Sequence, residues 1–183
     1  MRENAHRYLI ALGSNQRHAR FGAPRRVLAA ALERLKAEGL RVVAAAPPIE
    51  TDPIGPSIRR YANSAAVIET RLEPEALLAL LKRLEREFGR RPGGQRWRAR
   101  VLDLDVVLWS GGPYASAALT IPHRLFRERV FVLAPALALA PGWRDPVTGA
   151  TVRQLHARLT GLSALPKRVG GRALSSVGRA TDF

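Results

Sequence analysis

RWRARVLDLDVVLW, residues 96–109, decides the fold and the candidate site together. An arginine-rich loop runs directly into a segment where aliphatic residues alternate with two aspartates. A strand turns successive side chains to opposite faces. Val101, Asp103, Asp105, Val107 and Trp109 therefore fall on one face, and Leu102, Leu104, Val106 and Leu108 on the other. Two rises of the strand separate the Cα atoms of Asp103 and Asp105 by about 7 Å. Their carboxylates can then converge on metal ions that sit about 4 Å apart in two-metal sites. The aliphatic face is expected to lie under helices. An Asp-x-Asp of this kind is either the solvated face of an edge strand or a ligand pair lining a cleft, and the flanking Val and Trp suit the cleft. Arg96, Arg98 and Arg100 stand just upstream to offset the paired anions.

Working outward, residues 8–12 (YLIAL) form an apolar run that ends in Gly13-Ser14-Asn15, so a first strand closed by a turn is expected. Pro24 opens a helix with Val27, Leu28, Ala31, Leu32 and Leu35 at helical spacing, and Gly39 closes it. Residues 40–46 read as a second strand stopped by Pro47-Pro48. Residues 49–61 hold Pro53, Gly55 and Pro56 without a period and read as a loop. Residues 62–70 form a third strand with Asn63, Ala65 and Val67 on one face. Pro74 opens a second helix with the stripe Leu77, Leu78, Leu81, Leu84 and Phe88, ended by Gly89. Strand, helix, strand, strand, helix, strand is the α+β order of a ferredoxin-like β-α-β-β-α-β core, an antiparallel sheet with helices on one face. Additional C-terminal helices are expected near 130–139 and 152–159. A domain over 1–162 is followed by a glycine-bearing basic stretch, 163–183, expected to be a disordered extension.

The chain has 183 residues, enough for one domain with a sizeable core, and no cysteine, which excludes disulfides and thiolate metal sites. No apolar run approaches the roughly 20 residues of a membrane span, and a cytoplasmic protein is expected. Thirty basic against fifteen acidic residues leave a net charge of +15. Such an excess attracts polyanions. Aromatics make up only 6% of the residues, which is poor for base stacking, and an anionic small molecule such as a nucleoside triphosphate suits the charge equally well.

Four pieces occur in order: Gly13-Ser14-Asn15; Thr51-Asp52-Pro53-Ile54-Gly55-Pro56 with Tyr61-Ala62-Asn63; Arg96-Trp97 through Asp105; and Ile121-Pro122-His123 with Arg127-Glu128-Arg129-Val130-Phe131-Val132-Leu133. Together, over roughly residues 7–160, they resemble the 6-hydroxymethyl-7,8-dihydropterin pyrophosphokinases of folate biosynthesis. The resemblance implies transfer of the terminal diphosphoryl group of ATP, the co-substrate, to the hydroxymethyl oxygen of the pterin. It further implies two Mg²⁺ ions on Asp103 and Asp105, which act catalytically with Arg90 and Arg100. Lys82, Glu85, Trp97, Arg100, Val106, Thr120, His123 and Arg129 would lie on the ATP side. Thr51, Ile54, Gly55, Tyr61, Asn63, Trp97 and Phe131 would lie on the pterin side, with Tyr61 and Phe131 stacking on the flat ring. Lys82 and Glu85, three apart on a helix, read equally well as a surface ion pair.

The chain departs from the family habit at several positions. Lys82 replaces a common glutamine, Pro92 and Arg98-Ala99 alter the arginine loop, and Ala118 and Arg124 alter the His123 segment. A monomer is expected, with no membrane or nucleic-acid partner. A basic nucleic-acid-binding module of the same fold is the competing reading. It requires exposed aromatics on the sheet face, and the strands carry no such pattern.

Overall fold

Pro24 and Pro74 each stand at the first helical position, where a missing N–H costs nothing, and start α1 (Pro24–Ala37) and α2 (Pro74–Glu87). Both helices stop at a glycine in the left-handed region, Gly39 at φ +84° and Gly89 at φ +91°, which a side chain would strain. The computed structural model describes residues 5–52, 59–89 and 101–164. The remaining elements are β1 (His6–Ser14), β2 (Arg41–Ala45), β3 (Ile49–Thr51), β4 (Tyr61–Thr70), β5 (Asp103–Trp109), the short hairpin β6 (Tyr114–Ala115) and β7 (Thr120–Ile121), a 3-10 turn (Phe126–Glu128), α3 (Val130–Leu139) and α4 (Val152–Ala164).

The main sheet runs β2-β4-β1-β5, with β3 also on β4, and its pairings are antiparallel. With β3 set aside this is the expected ferredoxin-like arrangement. One face buries Ile10, Leu12, Ala66, Ile68, Leu104 and Val106 against Val27, Leu28, Ala31 and Leu35 of α1 and Leu77, Leu81 and Leu84 of α2. An ion-pair network of Arg34, Glu38, Arg83 and Glu87 ties those two helices together at the surface.

The structure corrects the sequence reading at five points. Helices lie on both faces: Leu9, Ala65 and Val67 pack under Val132, Leu133 and Ala136 of α3 and Leu155 of α4. The sheet face that a single-strand-binding module leaves open for bases is therefore covered over β1 and β4. β1 continues through Gly13 and Ser14, which are paired residues and not a turn. Residues 49–51, read as loop, form β3 against the start of β4. α4 runs on to Ala164.

The fifth correction falls on β5. Its register against β1 passes from Leu9–Leu108 to Ile10–Val106, so Val107 is an extra residue that bulges the strand. Alternation fails there. Leu108 joins the α3 side, while Trp109 crosses to the α1–α2 side and stacks on Tyr8, with centroids 6.1 Å apart. Of the extension expected over 163–183, residues 163 and 164 belong to α4 and the rest lies outside the described residues.

Candidate active site

The site grows from the β4-β1-β5 register. Asn63, Gly13 and Asp103 are direct partners across three neighbouring strands, and Ala65, Ala11 and Asp105 are partners one step further on. Directly paired residues share a face, so Asn63, Asp103 and Asp105 all project on the α3 side. Between them Gly13 leaves a gap. A Cβ there would stand 3.3 Å from Asn63 Oδ1 and 4.0 Å from the Asp103 Cβ. A glycine inside a strand marks a close approach. Gly13, read as a turn residue in the sequence, belongs to the site for that reason, and its position at the end of an apolar strand run is the signal that finds it.

Thr51 and Tyr61 are partners across β3 and β4, on the same face as Asn63. Asn63 Nδ2 donates to Thr51 Oγ1 at 2.7 Å, which orients the amide and leaves its carbonyl oxygen over Gly13. Phe131 lies in the first turn of α3, half-buried against the α3-side core, with the Arg129 guanidinium 5.6 Å from its ring centroid. Tyr61 and Phe131 thus flank one face from the sheet and from the helix that crosses it.

On the other side stands His123. Its backbone N–H donates to Val107 O at 3.1 Å, pinning the segment after β7 to the outer edge of β5. Its Nδ1 accepts from the Leu125 amide at 3.3 Å, so in the neutral ring the proton sits on Nε2, which lies 4.0 Å from Asp105 Oδ2. Burial holds His123 below the ordinary histidine range; Asp105 pulls it up, Arg129 pushes it down, Asp103 pulls it up and Lys82 pushes it down. These charges therefore share one electrostatic neighbourhood.

Lys82 and Glu85 are not a surface pair. Glu85 is fully buried, and Oε1 accepts from Leu104 N at 2.8 Å and from Lys82 Nζ at 2.7 Å. Val106 is 1% exposed in the α2-side core, which corrects any side-chain role at a ligand. Strand alternation turns its amide and carbonyl to the outer edge of β5 along with those of Leu104, and that main chain is covered as well. Thr120 lines an open groove of about 470 Å³ with Tyr114, Pro122, Arg124 and Arg127. Ile54, Gly55, Arg90, Trp97 and Arg100 lie outside the described residues, as do Pro92, Arg98 and Ala99.

The donor chemistry fits Mg²⁺. The pair supplies only carboxylate oxygens, partly exposed on one face, with Asp105 at 31%. Among the described residues no group of three metal-ligating side chains gathers. Mg²⁺ commonly takes one or two protein carboxylates and completes its shell with water and phosphate.

The profile of the 7,8-dihydro-6-hydroxymethylpterin-pyrophosphokinase (HPPK) family matches residues 9–141, well over half of the chain and spanning β1 to α3. The chain belongs to this family. Among HPPK relatives, the 2-amino-4-hydroxy-6-hydroxymethyldihydropteridine pyrophosphokinase of Methylorubrum extorquens is 37% identical over 155 residues, covering 84% of this chain and 93% of that protein. The Pseudomonas aeruginosa protein of the same name is 37% identical over 142 residues, 76% of this chain and 84% of that one. The mitochondrial folate synthesis bifunctional protein of Pisum sativum is 35% identical over 91% of this chain, which spans only 31% of it.

The HPPK-DHPS of Plasmodium falciparum, solved with STZ-DHP, shares the fold. Its TM-score is 0.66 at 12% identity, over 88% of this chain and 44% of that one. Of the departures expected from the family resemblance, Lys82, Ala118 and Arg124 fall inside the described residues. Lys82 sits at the join of α2 and β5, whereas Ala118 and Arg124 are exposed beside the β6–β7 hairpin.

Proposed function

We propose that the chain transfers the β,γ-diphosphoryl group of ATP to the hydroxymethyl oxygen of 6-hydroxymethyl-7,8-dihydropterin, releasing AMP, as a cytoplasmic monomer in folate biosynthesis. One observation carries the reading: Asn63, Gly13 and Asp103 stand abreast on three strands, so that a polar edge-reader and a carboxylate face one glycine-floored gap. A flat heterocycle whose hydroxymethyl arm points toward the carboxylates matches that layout.

The geometry supports the following roles. The Asn63 amide, oriented by Thr51, meets the donor and acceptor edge of the pterin. Tyr61 and Phe131 supply flat apolar area, worth about 1 kcal/mol each beyond simple burial. Asp103 and Asp105 would hold two Mg²⁺ ions, which when bound neutralise the triphosphate and lower the pKa of the attacking hydroxyl. His123 Nε2–H and Arg129 face the phosphates as donors, and a guanidinium fork suits them. Val106, covered as a whole residue, is placed on the ATP side by the family resemblance alone. Ile54, Gly55, Trp97, Arg90 and Arg100 join these by family resemblance, the two arginines to grip the transferring group. Phosphoryl transfer asks mainly for positioning and charge neutralisation, so no protein nucleophile is required.

The decisive assay is release of AMP from ATP and Mg²⁺ on addition of the hydroxymethyl dihydropterin. Asp103→Ala and Asp105→Ala should each abolish turnover with an unchanged circular dichroism spectrum. Near-wild-type kcat in either variant would remove the metal role from that carboxylate.

A further inference from the structure

Glu85 and Lys82 together bond to both main-chain groups of one residue on the outer strand. Glu85 Oε1 accepts from Leu104 N at 2.8 Å, and Lys82 Nζ donates to Leu104 O at 3.0 Å, while the two side chains meet at 2.7 Å. Side chains from α2 thus occupy the place of a further strand. Because two hydrogen bonds fix it, the Lys82 ammonium is not a roaming surface charge. Its Nζ also lies 3.7 Å from Asp105 Oδ1, on the side away from His123, which faces Oδ2.

We propose that Lys82 is the resident counter-cation of Asp105, held in register by Glu85, and that it sets how tightly this carboxylate takes a divalent cation. The proposal rests on Asp105 being a metal ligand. A cation fixed this close to one carboxylate oxygen repels a second cation and neutralises part of the paired negative charge of Asp103 and Asp105. Divalent cation alone then binds weakly, and cation accompanied by polyphosphate, which brings compensating negative charge, binds well. Lys82 is in this sense a positioning residue for the metal step, and the site loads with its nucleotide.

The test uses the full chain and Mn²⁺ alone, with free Mn²⁺ followed by electron paramagnetic resonance and no turnover required. Lys82→Gln removes the charge and keeps an N–H for Leu104 O. It should tighten Mn²⁺ binding about 5- to 10-fold, and Lys82→Arg, which restores the charge, should return it to within about 2-fold of wild type. If Lys82→Gln does not fold, Lys82→Met, with similar length along the α2–β5 seam, decides by the same measurement. Asp105→Asn separates the two readings. If it leaves Mn²⁺ binding unchanged, Asp105 is not a ligand and the metal assignment fails. If it weakens Mn²⁺ binding while the charge-removing Lys82 variant leaves the affinity unchanged or lower, the assignment stands and the counter-cation role is overturned. A purely structural clamp would lower thermal stability in the Lys82 variants without raising cation affinity.

Discussion

At the scale of single residues the site turns on what Gly13 lacks. An alanine there would place its Cβ 3.3 Å from Asn63 Oδ1, so the amide must move by a few tenths of an ångström. That amide is tied to Thr51 Oγ1 and cannot shift without weakening the bond. Gly13→Ala should therefore raise KM for the pterin about tenfold, roughly 1.4 kcal/mol, with little change in melting temperature. Steady-state kinetics at saturating ATP checks this, and an unchanged KM would detach Asn63 from pterin recognition. The carboxylate pair was legible in the alternation of a strand, whereas Tyr61, Phe131, Asn63 and His123 were named only through the family resemblance, since none of them has a spacing that points to a ligand. Gly13 was legible as a turn former and as part of the Gly13-Ser14-Asn15 motif, but a missing side chain has no spacing of its own to betray which neighbour needs the room.

At the scale of elements the α2–β5 seam is the joint that holds the aspartate-bearing strand. Glu85→Ala would leave the buried Leu104 N–H without its acceptor and Lys82 without the carboxylate that holds it in register. The expected cost is about 2–3 kcal/mol in urea unfolding, and a loss below about 0.5 kcal/mol would show the seam to be dispensable. Both long helices were readable from their opening prolines, leucine stripes and closing glycines, because those signals are local. β3 was hidden: three residues between a Pro-Pro stop and a Pro-Ile-Gly-Pro segment carry no period, and only pairing with Tyr61, Ala62 and Asn63 makes them a strand. The Val107 bulge was hidden for a related reason. Leu, Val, Val, Leu and Trp can all be buried on either face, so composition does not register where alternation slips.

At the scale of the whole molecule, one buried carboxylate fastens the C-terminal layer. Asp145, in the α3–α4 connection, takes both Arg127 Nε at 2.7 Å and Arg127 Nη2 at 2.8 Å, with Thr148 Oγ1 and the Val147 amide as further donors. Desolvation would raise its pKa, but the bonds from Arg127, Thr148 and Val147 outweigh that and bring it to about 2. A folded pKa below the unfolded value of 3.8 means the stabilisation is complete above that pH and is lost as pH falls toward 2. The side chain is fully buried, so the loss across that window should be about 2 kcal/mol. Asp145→Asn should flatten the acid limb of a stability-against-pH curve while costing about 3 kcal/mol at neutral pH. Arg127 lies in the turn between His123 and Arg129, so the same contact steadies the segment that brings those two groups to the sheet.

The two outer strands have one more consequence. β2 is bulged between Val42 and Ala44 and exposes Arg41. β5 has the outward groups of Leu104 engaged by α2 and the Val107 carbonyl engaged by His123 N. A bare strand edge is a template on which other chains add, and both blunted edges deny that template. The contacts that set the aspartates in place therefore also keep neighbouring copies from growing into a continuous sheet. Damage to Glu85 should surface first as insoluble protein in a crowded cell, before any defect in turnover can be measured.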